Sequence, residues 1–290
     1  MMSRSPLLAN TDRARLAQAY PAVFKPSLLK RIQTVTIIVA IVGLFLFGMV
    51  WLGFSFEKLA TGISRLGVIL GLMFPPSPGA LLHLYLKGLA ETLAIAFLGT
   101  MLAAILAFPL AFIAAKNIVG QRVVHFLSRR FLDTIRGVDT LIWALIFINV
   151  VGLGPFAGIL AVAMSDIGSL GKLFSEAIET ADTEPVDGVT STGGSALHQI
   201  RFGIVPQILP VILSQALYYF ESNTRSATVI GIVGAGGIGL YLSNDINQQN
   251  WDHVSFIILM ILLTVAAIDF VSARLRRSMI DGSQGGSGRK

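Results

Sequence analysis

The sequence predicts an all-α integral membrane protein with about six transmembrane helices. Of the 290 residues, 54% are hydrophobic and 13% are charged, and the mean hydropathy of +0.74 lies well above that of a soluble globular domain. Apolar runs long enough to cross a bilayer recur along the chain. Basic residues gather at the ends of these runs. The net charge of +6 therefore indicates orientation in a membrane rather than nucleic-acid binding.

The amino-terminal part predicts one anchor and one interfacial helix. A mixed polar segment, 1–32, carries several basic residues, and the first span, 33–53, is interpreted as a retained anchor rather than a signal peptide. An amphipathic stretch at 59–72 predicts an interfacial helix in an outside loop. The second span is expected at 88–115. It contains Pro109, which neighbouring membrane helices can accommodate.

The middle of the chain predicts a basic inner loop and two further spans. Five basic residues in the loop 116–136 place that loop on the cytoplasmic side. A short third span is expected at 138–152, and a fourth at 156–176. The glycines of the fourth span favour a helix that packs against others. The polar loop 177–205 follows.

The carboxy-terminal part predicts the last two spans. The fifth is expected at 206–230, and the glycine-rich string 231–239 then interrupts regular structure. Residues 241–252 contain acidic and amide side chains without a basic residue, which predicts an outside loop. The sixth span, 254–273, ends at a basic cluster. Both termini are therefore expected in the cytoplasm.

The stretch 185–210 is polar although it lies deep inside an apolar chain. Pro185 suits the first turn of a helix, where a missing N–H costs nothing. The glycine pair that begins at Gly193 should break this helix, and Ser195 can cap a second short helix. On that helix Leu197 and Arg201 share a face. The sequence predicts a helix–turn–helix at a membrane face, shaped to meet something in water.

The same stretch resembles the cytoplasmic loop of permease subunits of ABC importers. That loop has Glu-Ala-Ala, a glycine, and then Ile-x-Leu-Pro. Here 187–189, Gly193 and 203–206 have the same spacing. The flanking runs 201–207, 221–228, 231–239 and 151–158 resemble phosphonate-type importer permeases in particular, and the resemblance covers roughly 85–275.

The resemblance implies a type I ABC importer permease fold with a cytoplasmic coupling helix, in a bacterial inner membrane. It implies a second permease subunit, either another copy or a paralogue, and a periplasmic or lipid-anchored binding protein. Two cytoplasmic ATPase subunits would bind ATP and Mg²⁺, so this chain would bind no cofactor and would not itself be an enzyme. The residues implied in coupling are Asp187, Gly193, Ser195, His198, Arg201 and Pro206.

Glu221, Asn223 and Arg225 form a polar cluster in the fifth span. Charged groups at membrane depth are costly and usually face a bundle interior or a wet cavity. One interpretation is an ion pair between Glu221 and Arg225, which are spaced i, i+4 and would lock helix packing. The other places the cluster beside the translocation path, where a cation and an amide could hold an anionic oxyacid.

The glycine string also allows two interpretations. It can form a tight bend, or it can expose successive N–H groups that favour anions. The resemblance puts this segment, with Gly234, Gly236 and Gly237, in the gate region of the pore.

Other polar residues at membrane depth predict local partners. Asp139, Trp143 and Asn149 in the third span are candidates to line a path. The alternative is that Asp139 pairs with Arg136 and that Trp143 serves packing. Asp166 and Asp269 need partners that the sequence does not identify. The four histidines are scattered without the spacing of a metal site, and no catalytic set is recognisable.

These observations predict four regions: a cytoplasmic segment 1–32, an anchor with its outside loop 33–84, a permease core 85–276, and a cytoplasmic tail 277–290 whose Gly/Ser-rich end is expected to be disordered. The favoured function is the permease of an ABC importer for phosphonates or related phosphorus oxyanions such as phosphite or phosphate esters. Importers of methionine or glycine betaine are the nearest alternative. A secondary transporter, a channel and a membrane-embedded enzyme are the rivals from other classes.

Overall fold

The computed structural model describes residues 28–284, with side chains as far as Arg277, and within that range every regular element is helical. The chain divides into two units, one up to Val68 and one from Ile69. In the first unit α1 (Leu28–Trp51) begins the described chain, and α2 (Phe56–Leu72) starts five residues after α1 ends. Most of the predicted segment 1–32 and the last residues of the tail lie outside the described range.

The second unit contains the helices that position the candidate sites. They are α3 (Leu82–Ala114), α4 (Arg122–Arg136), α5 (Thr140–Val151), α6 (Pro155–Glu179), α7 (Thr183–Ser191), α8 (Ala196–His198), α9 (Val205–Ile232), α10 (Ile238–Asn247) and α11 (Trp251–Gln284).

The expected membrane spans are confirmed in number and place. Within the described residues, five helical stretches are long and apolar enough to cross a membrane: α1, α3, α6, the continuous stretch Ala196–Ile232, and α11. The short third span corresponds to α5. Its 12 residues reach only about 18 Å, and it is joined to α4 at a bend of 83°. The bent pair supplies a sixth span if it is counted as one.

Three expectations about connecting segments were wrong. Most of the loop 116–136 is α4, because Leu132 and Ile135 occupy a helical face that is buried against the bundle. The expected outside loop 241–252 contains the second half of α10. The last helix runs on to Gln284, into the Gly/Ser-rich end of the tail that was expected to be disordered.

Small residues bring the helices of the second unit close together. Ala103, Ala107 and Ala111 lie one turn apart on α3 and are fully buried. On α6, Gly168 and Gly171 lie against Leu132 of α4. Small side chains let backbones approach and strengthen van der Waals packing where lipid removes the hydrophobic driving force. The buried alanines of α3 and the glycines of α6 therefore allow α3, α4 and α6 to pack closely together.

A polar cluster joins the ends of three helices. The Tyr85 hydroxyl of α3 donates to Asp245 Oδ2 of α10 at 2.8 Å, and it lies 3.1 Å from His253 Nδ1 of α11. Asn250 Nδ2 donates to Asp245 Oδ1 at 3.2 Å. Because its oxygens have these partners, the buried Asp245 is accommodated inside the bundle. This explains why a polar stretch that predicted a loop folds as a helix instead.

Replacing Gly168 by alanine is expected to lower stability. A Cβ at this position would lie 2.6 Å from the Leu132 carbonyl oxygen and 2.8 Å from the Arg136 nitrogen, and neither backbone atom can turn aside. Overpacking of this kind costs about 1–3 kcal/mol. The thermal unfolding midpoint of the purified protein measures the loss. Gly71→Ala is the matched control, since nothing lies within 4 Å of its Cβ position, and an equal loss there would contradict the packing argument.

Candidate coupling segment and intramembrane polar cluster

The polar stretch forms a helix, a glycine turn and a second helix, as predicted. Pro185 lies in the first turn of α7, and Asp187 is exposed on the same helix. The turn contains Gly193, whose φ of +80° lies in the left-handed region that favours glycine. A Cβ at Gly193 would meet nothing within 4 Å. The backbone conformation, and not lack of space, therefore selects glycine here.

The second helix continues into the fifth span. After α8 the chain makes a π-helical turn at Gln199–Ile204 and enters α9 without a break, with Pro206 in the first turn of α9. Gly203 allows α7 to approach this turn, because a Cβ there would lie 3.0 Å from Val186 Cα. The chain is therefore one continuous helical stretch from Ala196 to Ile232.

Two amide side chains fasten α7 to the continuous helix. The Gln207 side chain accepts a hydrogen bond from the Asp182 N–H at 2.9 Å and donates one to the Asp182 carbonyl at 3.0 Å. Near the turn, Gln199 Nε2 donates to Thr190 Oγ1 at 3.0 Å. Each end of α7 thus has a polar link to the helical stretch Ala196–Ile232.

The chain that follows the glycine turn exposes an aromatic residue that was not among the predicted coupling residues. Phe202 is 57% exposed. The His198 ring stacks on it with centroids 6.1 Å apart, and the Arg201 guanidinium lies 5.3 Å from its centre. Ser195 occupies the capping position, but its hydroxyl contacts His198 Nδ1 at 2.7 Å rather than a backbone N–H. The i, i+4 spacing of His198 and Phe202 was the available signal.

A buried polar contact joins three helices of the bundle. Asn223 of α9 donates through Nδ2 to Asp166 of α6 and, at 2.8 Å, to Thr100 Oγ1 of α3. All three side chains are buried, and the Thr100 hydroxyl also donates to the Ala96 carbonyl at 2.7 Å. This contact identifies the partner that Asp166 was expected to need. It places Asn223 between helices of one subunit, with its amide donors occupied.

The expected ion pair between Glu221 and Arg225 does not form. Glu221 Oε2 lies 2.8 Å from Arg276 Nη1, and Arg225 Nη1 lies 3.3 Å from Asp269 Oδ1. Both partners belong to α11, so the charges link two helices instead of neighbouring turns of one. The local i, i+4 pair between Glu221 and Arg225 does not form, because α11 runs antiparallel beside α9 and places an opposite charge next to each of them. Arg225 and Asp269 stay about half exposed.

The glycine string forms a tight bend between α9 and α10. Gly234, Gly236 and Gly237 have φ of +103°, +82° and +81°, and Gly236 and Gly237 are buried. The bend packs closely on the helices around it, since a Cβ at Gly236 would lie 2.8 Å from the nitrogen of Pro155. The glycine string therefore allows its backbone to lie close to the backbones of neighbouring helices.

The backbone amides of the bend are largely engaged by the protein itself. Gly237 N donates to Glu91 Oε2 at 3.3 Å, and Ile238 N donates to Thr92 Oγ1 at 2.8 Å. Gly234 and Ala235 donate to carbonyls at the end of α9. These four amides are therefore not presented as a free row for an anion, which corrects the anion-binding interpretation of the string.

The other polar residues of the third span have local roles. Asp139 does not pair with Arg136. It caps α5 instead, with Oδ1 accepting the Leu141 N–H at 2.8 Å. A capping carboxylate satisfies an N–H that the first turn leaves free. Trp143 packs in the core and stacks on Phe147, in agreement with the packing interpretation.

A bundle of apolar helices with an exposed polar helix–turn–helix at one face fits the membrane-embedded subunit of a transport system. The comparison with known families makes this specific. Residues 107–281 match the family described as binding-protein-dependent transport system inner membrane component. The chain belongs to this family, and it is a multi-pass inner-membrane permease subunit of an ABC importer.

Two relatives and one solved structure show the extent of the likeness. HtxC of Stutzerimonas stutzeri, provisionally named a phosphite transport system permease protein, is 41% identical over 80% of this chain and 82% of its own length. The phosphite transport system permease protein PtxC of the same organism is 33% identical over 76% of this chain and 79% of its own. A chain of the inward-facing MetNI methionine ABC transporter has a TM-score of 0.60 at 18% identity, covering 70% of this chain and 99% of that one.

Proposed function

We propose that this chain forms part of the translocation pathway of an importer for phosphonates or related phosphorus oxyanions, phosphite included, and that α7 with its glycine turn couples it to cytoplasmic ATPases. One observation carries the coupling proposal. The exposed segment is fastened to the continuous helix 196–232 by the double hydrogen bond between Gln207 and Asp182. The similarity to the phosphite transport permeases HtxC and PtxC supports the cargo.

The geometry gives the coupling a physical route. A movement of α7 is passed to Glu221 and to the bend at Gly234–Gly237 through the continuous helix 196–232. The π turn and Pro206 continue this helix instead of interrupting it. Rigid-body movement of a packed helix is a known way to carry a local change across a membrane protein. The coupling residues are then Asp187, Gly193, Ser195, His198, Arg201 and Pro206, with Phe202 added from its exposed position.

The proposed assembly assigns the chemistry to other chains. The ATPases bind ATP and Mg²⁺ and supply the energy, while this chain has no nucleotide site of its own. A second permease subunit completes the pore, and a binding protein delivers the cargo at the outer face. Both termini lie on the ATPase side, since the basic ends of α4 and α11 belong there.

The proposed path borders the charges of α9. The Glu221 and Arg225 side chains are partly exposed. The Gly234–Gly237 bend follows the carboxy-terminal end of the same helix, α9. An anionic cargo can replace Asp269 as the partner of Arg225, because the cargo and the Asp269 carboxylate both present anionic oxygens to the guanidinium. Asn223, whose amide is occupied, supports these residues from the bundle interior.

Arg225→Gln is expected to lower uptake about tenfold while the amount of protein in the membrane stays the same, since a transient charge-assisted contact is worth about 1.5 kcal/mol or more. Asp269→Asn is the matched variant. It removes the other half of the pair and should leave uptake within about threefold. Radiolabelled uptake normalised to membrane protein measures both. Equal losses of uptake and of protein in the two variants would show that the pair serves packing alone.

The proposed function is tested by reconstituting the chain with its candidate ATPase in lipid nanodiscs. ATP hydrolysis is then measured with and without the binding protein loaded with an alkylphosphonate or phosphite. Stimulation by the loaded binding protein is the expected result. Association with the ATPase but stimulation only by a methionine-loaded or betaine-loaded binding protein would overturn the cargo. A chain that binds no ATPase yet transports solute would be a secondary transporter.

A further inference from the structure

The helix α4 has two apolar faces, although a helix at the edge of a bundle needs only one. Leu132 and Ile135 are buried on the side that contacts α3 and α6. A second face is exposed: Val123, Phe126, Leu127 and Phe131 are 62%, 57%, 60% and 56% accessible. These four residues are spaced i, i+3, i+4, i+8 and form one stripe along the helix, called here the outer stripe of α4. Core packing does not explain it.

The charges of α4 exclude the hydrocarbon interior as the surroundings of this stripe. The helix carries four arginines and one aspartate. Arg129 is paired with Glu179 at 3.0 Å, and Asp133 with Lys172 at 3.0 Å, both towards α6. Arg122 instead borders the outer stripe, and Arg130 lies on the same face, over the Phe126 ring. Charged groups are costly at bilayer depth, so α4 belongs at the boundary between acyl chains and water.

The two arginines at the stripe are available for a ligand. Among residues 28–277, the Arg122 side chain has no ion pair or hydrogen-bond partner. Arg130 is 65% exposed. It lies 3.5 Å from Asp133, which Lys172 already holds, and its guanidinium lies 5.3 Å from the Phe126 ring centre. Guanidinium groups bind phosphate oxygens in a forked geometry. Positive charge beside an apolar stripe is complementary to an anionic phospholipid.

The direction of α4 agrees with this occupant. The bend of 83° prevents α4 and α5 from both following the membrane normal. Since α5 contains no charged residue and α4 contains five, α4 is the one that fits the membrane surface. An apolar depression of about 250 Å³ beside Leu127 and Phe131 extends the stripe towards Leu110 of α3.

We propose that the outer stripe of α4 is a binding surface for anionic phospholipid, with Phe126, Leu127 and Phe131 among the acyl chains and Arg122 and Arg130 on the headgroup phosphates. Because Arg129 also ties α4 to Glu179, four residues before α7 begins, the bound lipid would hold the base of the coupling segment at the membrane surface. This surface is distinct from the proposed cargo path.

The chain contains no cysteine, so a single introduced cysteine reports one site. Leu127→Cys is labelled with a fluorophore in the full-length chain, in nanodiscs of phosphatidylcholine and phosphatidylglycerol with brominated acyl chains on one lipid at a time. We expect quenching by both brominated lipids, with anionic lipid enriched about fivefold over its bulk share. Leu263→Cys, on the exposed side of α11, is the lipid-facing control and should show no preference. Thr192→Cys, in the glycine turn, should not be quenched.

The double variant Arg122→Gln, Arg130→Gln should abolish the preference at Leu127 and retain the quenching itself. Arg65→Gln with Lys87→Gln removes two exposed charges elsewhere and should leave the preference unchanged. Absence of quenching at Leu127 while Leu263 is quenched would show that protein covers the stripe, and would overturn the proposal. Equal quenching by both lipids would also overturn it, because the arginines would then recognise no headgroup.

Discussion

Asn223→Leu is expected to destabilise the protein by about 3 kcal/mol and to lower its unfolding midpoint by roughly 5–10 °C. Leucine has the same branched shape and the same number of side-chain heavy atoms as asparagine and leaves no cavity, so the loss comes mainly from polarity. Asn223 donates to Asp166, and both side chains are buried between α6 and α9. Without this donor the Asp166 carboxyl group remains in an apolar interior with no replacement partner. Thermal unfolding of the purified protein in detergent, followed by light scattering, measures the effect.

A double-mutant cycle separates this explanation from general damage. The double variant Asn223→Leu, Asp166→Leu removes both partners and should be less destabilised than Asn223→Leu alone, since neither polar group is then left unpaired. Thr100 does not disturb the cycle, because its hydroxyl keeps the Ala96 carbonyl. Asp166→Asn retains an oxygen acceptor for Asn223 and should cost least. Additive losses in the double variant would refute the coupling of the two side chains.

The membrane spans could be predicted because each depends on a local property of about 20 consecutive residues. The same is true of the glycine turn at Gly193, where the residue type and its φ of +80° agree. The partner of Glu221 could not be predicted in this way. Arg225 satisfies the local spacing rule, whereas Arg276 lies on another helix and becomes a neighbour only when α9 and α11 pack together.

Charge misled the prediction at α4 and α10 for a related reason. Five basic residues suggested a cytoplasmic loop at 116–136, although the apolar residues between the arginines recur at helical spacing on two faces. Asp245 suggested an exposed loop, but its oxygens are satisfied by Tyr85 and Asn250. Polar residues predict exposure only while their partners are unknown. The candidate site was affected most, because it consists of such residues.

Gly193→Val is expected to reduce ATP-driven uptake by a factor of about 5–30 without removing the protein from the membrane. The φ of +80° at this position costs a residue with a side chain about 1–2 kcal/mol, and a β-branched residue is worst placed to adopt it. The turn must then change shape, and α7 would meet its ATPase at a different angle. Stability should fall by no more than this backbone cost, because the segment is exposed and a Cβ there meets no neighbour.

Gly193→Asn provides the control that isolates backbone strain from the loss of glycine. Asparagine tolerates the left-handed region, so this variant should keep most of the uptake and of the ATPase association. Gly188→Val changes an exposed glycine of α7, five residues before the turn, where no left-handed φ is required, and tests side-chain bulk alone. If Gly193→Asn fails as completely as Gly193→Val, bulk at the docking surface decides coupling. If Gly193→Asn and Gly193→Val both retain uptake, this turn has no coupling role. Coupling to the ATPase must then depend on α8 and Phe202 instead.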